Sequence, residues 1–149
     1  MAHLIVEPGD GTDYDWSNDH VYVKTPASAT AGQVTVVEDT LKPGFHLGRH
    51  FHKRMTEVFY VLEGEVHFTF DNETVVARPG VTVTVPPGVM HEASCPDGGK
   101  MLTVFSPGGF DQYMAELASL PETAFEDGAR MQALAEKYDT WMAEGPDAT

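Results

Sequence analysis

Two short glycine-bracketed segments constrain this chain more than anything else in it. The first runs from Gly44 through His50, His52 and Glu57 to Gly64, and the second from Gly80 through Pro86 and Gly88 to His91. Residues two apart on a strand project from the same face, so His50 and His52 can aim two imidazoles at one point. Glu57 and His91 would complete a set of three nitrogens and one oxygen. Such a set suits one divalent transition metal, namely Fe, Ni, Mn, Co, Cu or Zn. A structural zinc site would favour cysteine thiolates, and the sole cysteine, Cys95, lies outside the pattern.

The rest of the first two-thirds supplies short apolar runs bounded by turn residues. Candidate strands are 3–7, 21–24, 33–40, 57–62, 65–71, 74–78, 81–85, 91–95 and 100–106, and their breakers include Pro43-Gly44, Gly64, Pro79-Gly80 and Pro86-Pro87-Gly88. Many short strands at this spacing predict an all-β sandwich or barrel.

The two glycine-bracketed segments resemble the signature motifs of the cupin superfamily, and residues 33–106 carry the resemblance. The general layout is similar to single-domain cupins of the quercetinase-like bacterial type, down to the turn Pro107-Gly108-Gly109-Phe110 before a helical tail. The resemblance implies an all-β jelly-roll barrel with a C-terminal two-helix extension. The barrel would span residues 1–109, with metal motifs at 44–64 and 80–95, and residues 110–149 would pack on it as helices. It further implies that His50, His52, Glu57 and His91 ligate a metal near one open end of the barrel, leaving positions for water, substrate or dioxygen. The one departure is Cys95, where the second motif usually carries Asn. That position is not a ligand in the family, so the change bears on packing at a strand end.

After residue 109 the period changes. Phe110, Tyr113, Met114 and Leu117 fall at helical spacing, and Met131, Leu134, Ala135, Tyr138, Trp141 and Met142 make a second stripe from about Asp127 to Gly145-Pro146. Both stripes read as packing faces against the barrel or a partner subunit, with a lid over the barrel mouth as the alternative for the first.

Composition narrows the partners. The formal net charge of −14 argues against nucleic acid or an anionic membrane, since both require basic faces. A single cysteine excludes an internal disulfide, and the apolar run near Met1 is too short for a signal peptide or membrane span, so a cytoplasmic location is expected. Lys42, Arg49, Lys53 and Arg54 gather around the first motif, where they read as surface charge balancing nearby acids, with a cationic rim that draws an anionic or phenolate substrate toward the metal as the alternative. A homodimer is expected, because jelly-roll sheets leave edges that pairing covers.

The substrate pocket is assigned to Phe45, Phe59, Val61, Met90, Met101 and Phe105, an apolar lining that favours a small, largely apolar, aromatic or enolic molecule over a sugar phosphate. Glu57 and His46 are the candidate catalytic groups. His46 shares the parity of His50 and His52, but Gly48 between them can break that register, so ligand, base and plain surface histidine all stay open. Three functions follow. The first is a quercetinase-like dioxygenase, the second a non-redox metal-dependent polyketide cyclase or lyase, and the third a non-catalytic small-molecule binder.

Overall fold

A computed structural model describes residues 2–143 of the chain. Eleven strands form two antiparallel sheets that face each other. The strands are β1 (Asp13–Asp15), β2 (Asp19–Thr25), β3 (Thr35–Leu41), β4 (Phe45–Phe51), β5 (Thr56–Glu63), β6 (Val66–Thr69), β7 (Thr74–Ala77), β8 (Thr82–Val85), β9 (His91–Cys95), β10 (Gly99–Ser106) and β11 (Trp141–Met142). One sheet has the order β1-β2-β3-β10-β5-β8 and the other β11-β4-β9-β6-β7. Two helices, α1 (Phe110–Ser119) and α2 (Gly128–Lys137), lie between β10 and β11. The molecule is a jelly-roll barrel with a C-terminal two-helix extension.

Strict alternation in the sequence builds the barrel. Along β3, Thr35, Val37, Asp39 and Leu41 are buried while the residues between them face outward. The same parity buries Met101, Thr103 and Phe105 on β10, and Glu57, Phe59 and Val61 on β5. Deep in the barrel the two sheets clasp an apolar cluster that includes Phe59, Val61, Val66, Phe68, Cys95 and Met101. A second cluster, with Val21, Val37, Met55, Phe105 and Met114, closes the end beneath α1. Burying a side chain of this size contributes about 1.5–3 kcal/mol, so the pattern in the sequence fixes which faces meet.

The glycine that ends the first motif has a steric reason. Gly64 has φ of +80°, and a Cβ there would sit 2.6 Å from the Gly98 carbonyl oxygen, so the β5–β6 turn can approach the start of β10 only without a side chain. Cys95, at the position where the motif usually has Asn, is buried, and its thiol donates to the Glu65 carbonyl at 3.3 Å. Burial pushes that thiol up in pKa. The departure is absorbed as packing.

Three expectations need correction. Residues 3–7 form no strand and lie largely exposed, because nothing pairs with them. Two strands escaped the pattern. β1 is a three-residue edge, and β4 carries an irregularity between Leu47 and His50, where its register against β9 shifts. The second helical stripe stops at Lys137 rather than running through Met142. Asp139 adopts φ of +57°, which ends the helix, and Trp141–Met142 pairs antiparallel with Phe51 and His50 of β4. The expected stop at Gly145-Pro146 lies outside the described residues.

Candidate metal centre and cavity

His50 stands near the end of β4, His52 just past it, Glu57 on β5 and His91 at the start of β9. All four are buried, and each presents one ligand atom, all within 4.8 Å of one another. His50 and His91 are cross-strand partners, which brings the second motif onto the first. Gly48 and the register shift beside it re-aim the chain, so that His50 points inward.

The hydrogen bonds of the imidazoles decide what the cluster can hold. His50 Nδ1 lies 2.7 Å from the Gly48 carbonyl, His91 Nδ1 2.9 Å from that of Val89, and His52 Nδ1 2.9 Å from that of Asp139. A carbonyl only accepts, so each Nδ1 carries the hydrogen and each Nε2 is left with a lone pair. His52 Nε2 and His91 Nε2 lie 3.0 and 3.2 Å from Glu57 Oε1. Lone pairs and a carboxylate converging on one buried point repel unless a cation stands among them. The donor set therefore fits a metal ion, with each ligand oriented through its outer nitrogen.

The ionisation states agree. Burial would raise the Glu57 carboxyl, but His52 and His91 outweigh it and hold it at about 2. Burial, assisted by the neighbouring His91, drops His50 to about 4, which keeps it a neutral ligand. Burial opposes an imidazolium at His52 as well, yet Glu57 and the Asp139 carbonyl win and raise it.

His50 and Glu57 open onto a cavity of about 320 Å³. Its walls include Phe45, Phe59, Met101 and Phe105, as the sequence reading expected, together with Val21, Val37 and Leu47. The α1 stripe also lines it, through Phe110, Tyr113, Met114 and Leu117. Phe110 stacks on Phe105 with ring centroids 4.3 Å apart, so the helix roofs the cavity instead of merely packing on the barrel. Val61 is not in the lining. It shares the face of Glu57 but sits deeper, wholly buried in the lower apolar cluster, since parity gives the face and not the depth. Met90 is not there either. It precedes inward-pointing His91, so alternation turns it outward to a shallow surface depression beside Arg49 and Phe70. His46 stands at the cavity rim with its side chain 58% exposed, 3.7 Å from Glu92, and is no part of the four-residue cluster. Three of the four cationic residues around the first motif are engaged on the surface: Lys42 pairs with Asp15, Arg49 with Asp71, and Lys53 lies over the Trp141 ring.

The sequence reading missed a second polar feature of the same cavity. Asp19 and Asp39, on neighbouring strands, line it some way from the metal ligands. The Thr103 hydroxyl donates to Asp39 Oδ2 at 2.8 Å, whereas Asp19 Oδ1 is buried with no donor in reach. Desolvation, then the charge of Asp39, pushes Asp19 up to about 10, and burial raises Asp39. Both shifts favour a proton shared between the two carboxyls. With Thr103 and Glu57 it forms a polar row across the inner face of four adjacent strands, β2, β3, β10 and β5. The clue in the sequence was Asp39, whose parity within β3 matches buried Val37 and Leu41.

Residues 37–106 match the sequence description of the cupin domain. The chain carries a cupin domain. This cupin is 29% identical over 115 residues to quercetin 2,3-dioxygenase of Bacillus subtilis, a match that takes in 76% of the chain and 34% of that relative. The chain thus spans about a third of the relative's length. Among solved structures it resembles an RmlC-like cupin from Shewanella frigidimarina at 26% identity and a TM-score of 0.65, covering 74% of this chain and 96% of that one. KdgF from Halomonas sp. superposes with the same TM-score of 0.65 at 18% identity, covering 73% and 99% of the two chains, a likeness of fold. Among the described residues, no helix of the cupin is long and apolar enough to cross a membrane.

Proposed function

We propose that this cupin is a metal-dependent, quercetinase-like dioxygenase acting on a small, flat, largely apolar substrate of aromatic or enolic character. The observation that carries the reading is the junction of a buried three-histidine, one-glutamate cluster with an apolar cavity of about 320 Å³. The likeness to quercetin 2,3-dioxygenase supports it. His50, His52, Glu57 and His91 would hold the ion. A divalent transition metal held there supplies Lewis acidity toward a substrate oxygen and, when redox-active, a path for electrons to dioxygen.

The chain's own groups do the remaining work. Phe45, Phe59, Phe105 and Phe110 exclude water and offer ring faces to a planar ligand. The Asp19–Asp39 pair holds a proton at the cavity wall, where an oxygen of the substrate can receive or return it. Glu57, kept ionised by its histidines, accepts hydrogen bonds and carries no proton to give. His46 at the rim is placed to meet what enters the cavity.

The test is oxygen uptake with quercetin as probe, run on protein reconstituted separately with Fe, Ni, Mn, Co, Cu and Zn. Dioxygen consumption matching flavonol loss in at least one redox-active form is expected, and none in any form would overturn the dioxygenase reading. Flavonol binding without oxygen uptake, also with Zn, would favour the non-redox cyclase or lyase, which needs the same apolar cavity.

We also infer a homodimer in the cytoplasm. Tyr60, Leu62, Val76 and Val81 leave apolar side chains on the outer surface, and a monomeric mass by light scattering at micromolar concentration would count against pairing.

A further inference from the structure

Two of the three histidines in the cluster are oriented locally. His50 and His91 each donate Nδ1–H to the carbonyl of a residue two positions earlier, Gly48 and Val89. His52 differs, because its Nδ1 partner is the carbonyl of Asp139, 87 residues away at 2.9 Å. Asp139 is itself firmly seated. Its carboxylate accepts the backbone N–H groups of Lys53, Arg54 and Met55 at 2.8, 2.8 and 2.9 Å, and the Trp141 indole N–H at 3.3 Å. It thereby grips the very turn that follows His52, while its carbonyl grips the imidazole. The residue is only 6% exposed and adopts φ of +57°, a conformation that Asp tolerates better than most residues.

The residues beyond it continue the hold. Trp141 and Met142 pair with Phe51 and His50, and the Ala143 N–H donates to the Arg49 carbonyl at 3.0 Å. Thr140 and Met142 also line the cavity. One short segment thus orients one ligand, pins the strand of a second and completes the cavity wall.

We propose that Asp139 is a positioning residue for the metal ligand His52, and that residues 139–142 form a clasp that sets how tightly the centre holds its ion. The inference rests on the reading of the four-residue cluster as a metal site. The Asp139 carbonyl fixes the hydrogen on Nδ1 and the plane of the ring, so the Nε2 lone pair faces Glu57. Without that contact the ring is free to rotate or to exchange tautomers. Losing such an outer partner typically costs ~10–100-fold in metal affinity.

The experiment is a titration of purified apoprotein with Co(II), read by competition with a fluorescent chelator and by the visible spectrum of the bound ion. Wild-type protein is measured first, and if it binds no Co(II) the metal reading itself fails, separately from the clasp. Asp139→Ala keeps the carbonyl but removes the carboxylate that seats it on the turn after His52, at a left-handed φ that Ala tolerates less well, so the carbonyl is displaced from the ring. Given wild-type binding, this variant is expected to weaken it by ~10–100-fold and to change the Co(II) spectrum, with Asp139→Asn recovering part of both. Glu116→Gln, which removes the charge that Glu116 sets against Lys137 and Tyr138 away from the centre, should move neither. An Asp139→Ala protein of lower melting temperature but unchanged affinity and spectrum would overturn the proposal. Should that variant fail to fold, long-range ¹H–¹⁵N correlation on the wild type decides the matter. A slowly exchanging Nδ1–H on His52 supports the clasp, and an Nε2–H tautomer or a freely exchanging ring refutes it.

Discussion

The cavity has two polar ends that meet the same problem by opposite means. At one, Glu57 is a wholly buried carboxylate neutralised by histidines, and its pKa falls to about 2. At the other, desolvation and the charge of Asp39 outweigh the pull of Lys42 on Asp19, and its pKa climbs to about 10. Burying a charge is costly unless something pairs with it, so each end has recruited a partner. Glu57 would take a cation, and the aspartates a proton. One cavity thereby presents a candidate metal centre and a pair of raised carboxyls along the inner face of the same sheet.

The sharpest way to break this contrast is to remove a ligand. His50→Ala or His91→Ala should lower bound metal to well below one ion per chain, an effect larger than the ~10–100-fold that an outer partner costs, while circular dichroism still reports the barrel. Full occupancy in both variants would erase the distinction between the two ends. Because the imidazoles must shed protons to ligate, occupancy should also fall as pH drops through the histidine range.

The proton end gives a smaller effect of opposite kind. The raised carboxyl pKa means that the folded state binds a proton more tightly than the unfolded chain does. The stability it brings is complete below the unfolded carboxylate value near ~4. That stability is lost as pH rises toward about 10. Wild-type stability in urea should therefore decline between pH 5 and 9 (chosen to lie inside this window, ~4–10). Asp19→Asn, whose amide replaces the shared proton, should flatten that slope and gain at least ~1 kcal/mol at the alkaline end. Parallel slopes for both proteins would show that the pair carries no proton.

His46 belongs to neither end, and replacing it should do least. Its exposed ring lies 3.7 Å from Glu92 and outside the four-residue cluster, so His46→Ala should leave metal stoichiometric and change quercetin turnover by less than ~10-fold, short of the ~10²–10⁴-fold expected for a general base. A fall in turnover into that larger range would make His46 the working base and demote the aspartates.

The two ends also differ in how they could be read from sequence. Glu57 and His91 sit at fixed distances from His50, His52 and the turn glycines, and that spacing, through its resemblance to the cupin motifs, drew the cluster together. Asp19 is one acid among several in an acidic N-terminal stretch, and its neighbour in space is twenty residues on, across a strand pairing that composition does not announce. Pocket depth was equally hidden: parity placed Phe59 correctly and misplaced Val61, two residues further down the same strand. The tail failed for another reason. Helical periodicity ran on through Tyr138, Trp141 and Met142, and no Gly or Pro marked the break. The break is made by Asp139 in a left-handed conformation, stabilised by backbone N–H groups from a turn far away in the chain, which local pattern cannot see.

That last contact has a consequence for how the protein comes into being. His52 leaves the ribosome 87 residues before the carbonyl that fixes its ring. At elongation rates of ~5–20 residues per second there are several seconds in which β1 to β10 exist but His52 still lacks the partner that aims its ring. A metal held by the cluster would therefore meet its full set of oriented ligands only after both sheets can form.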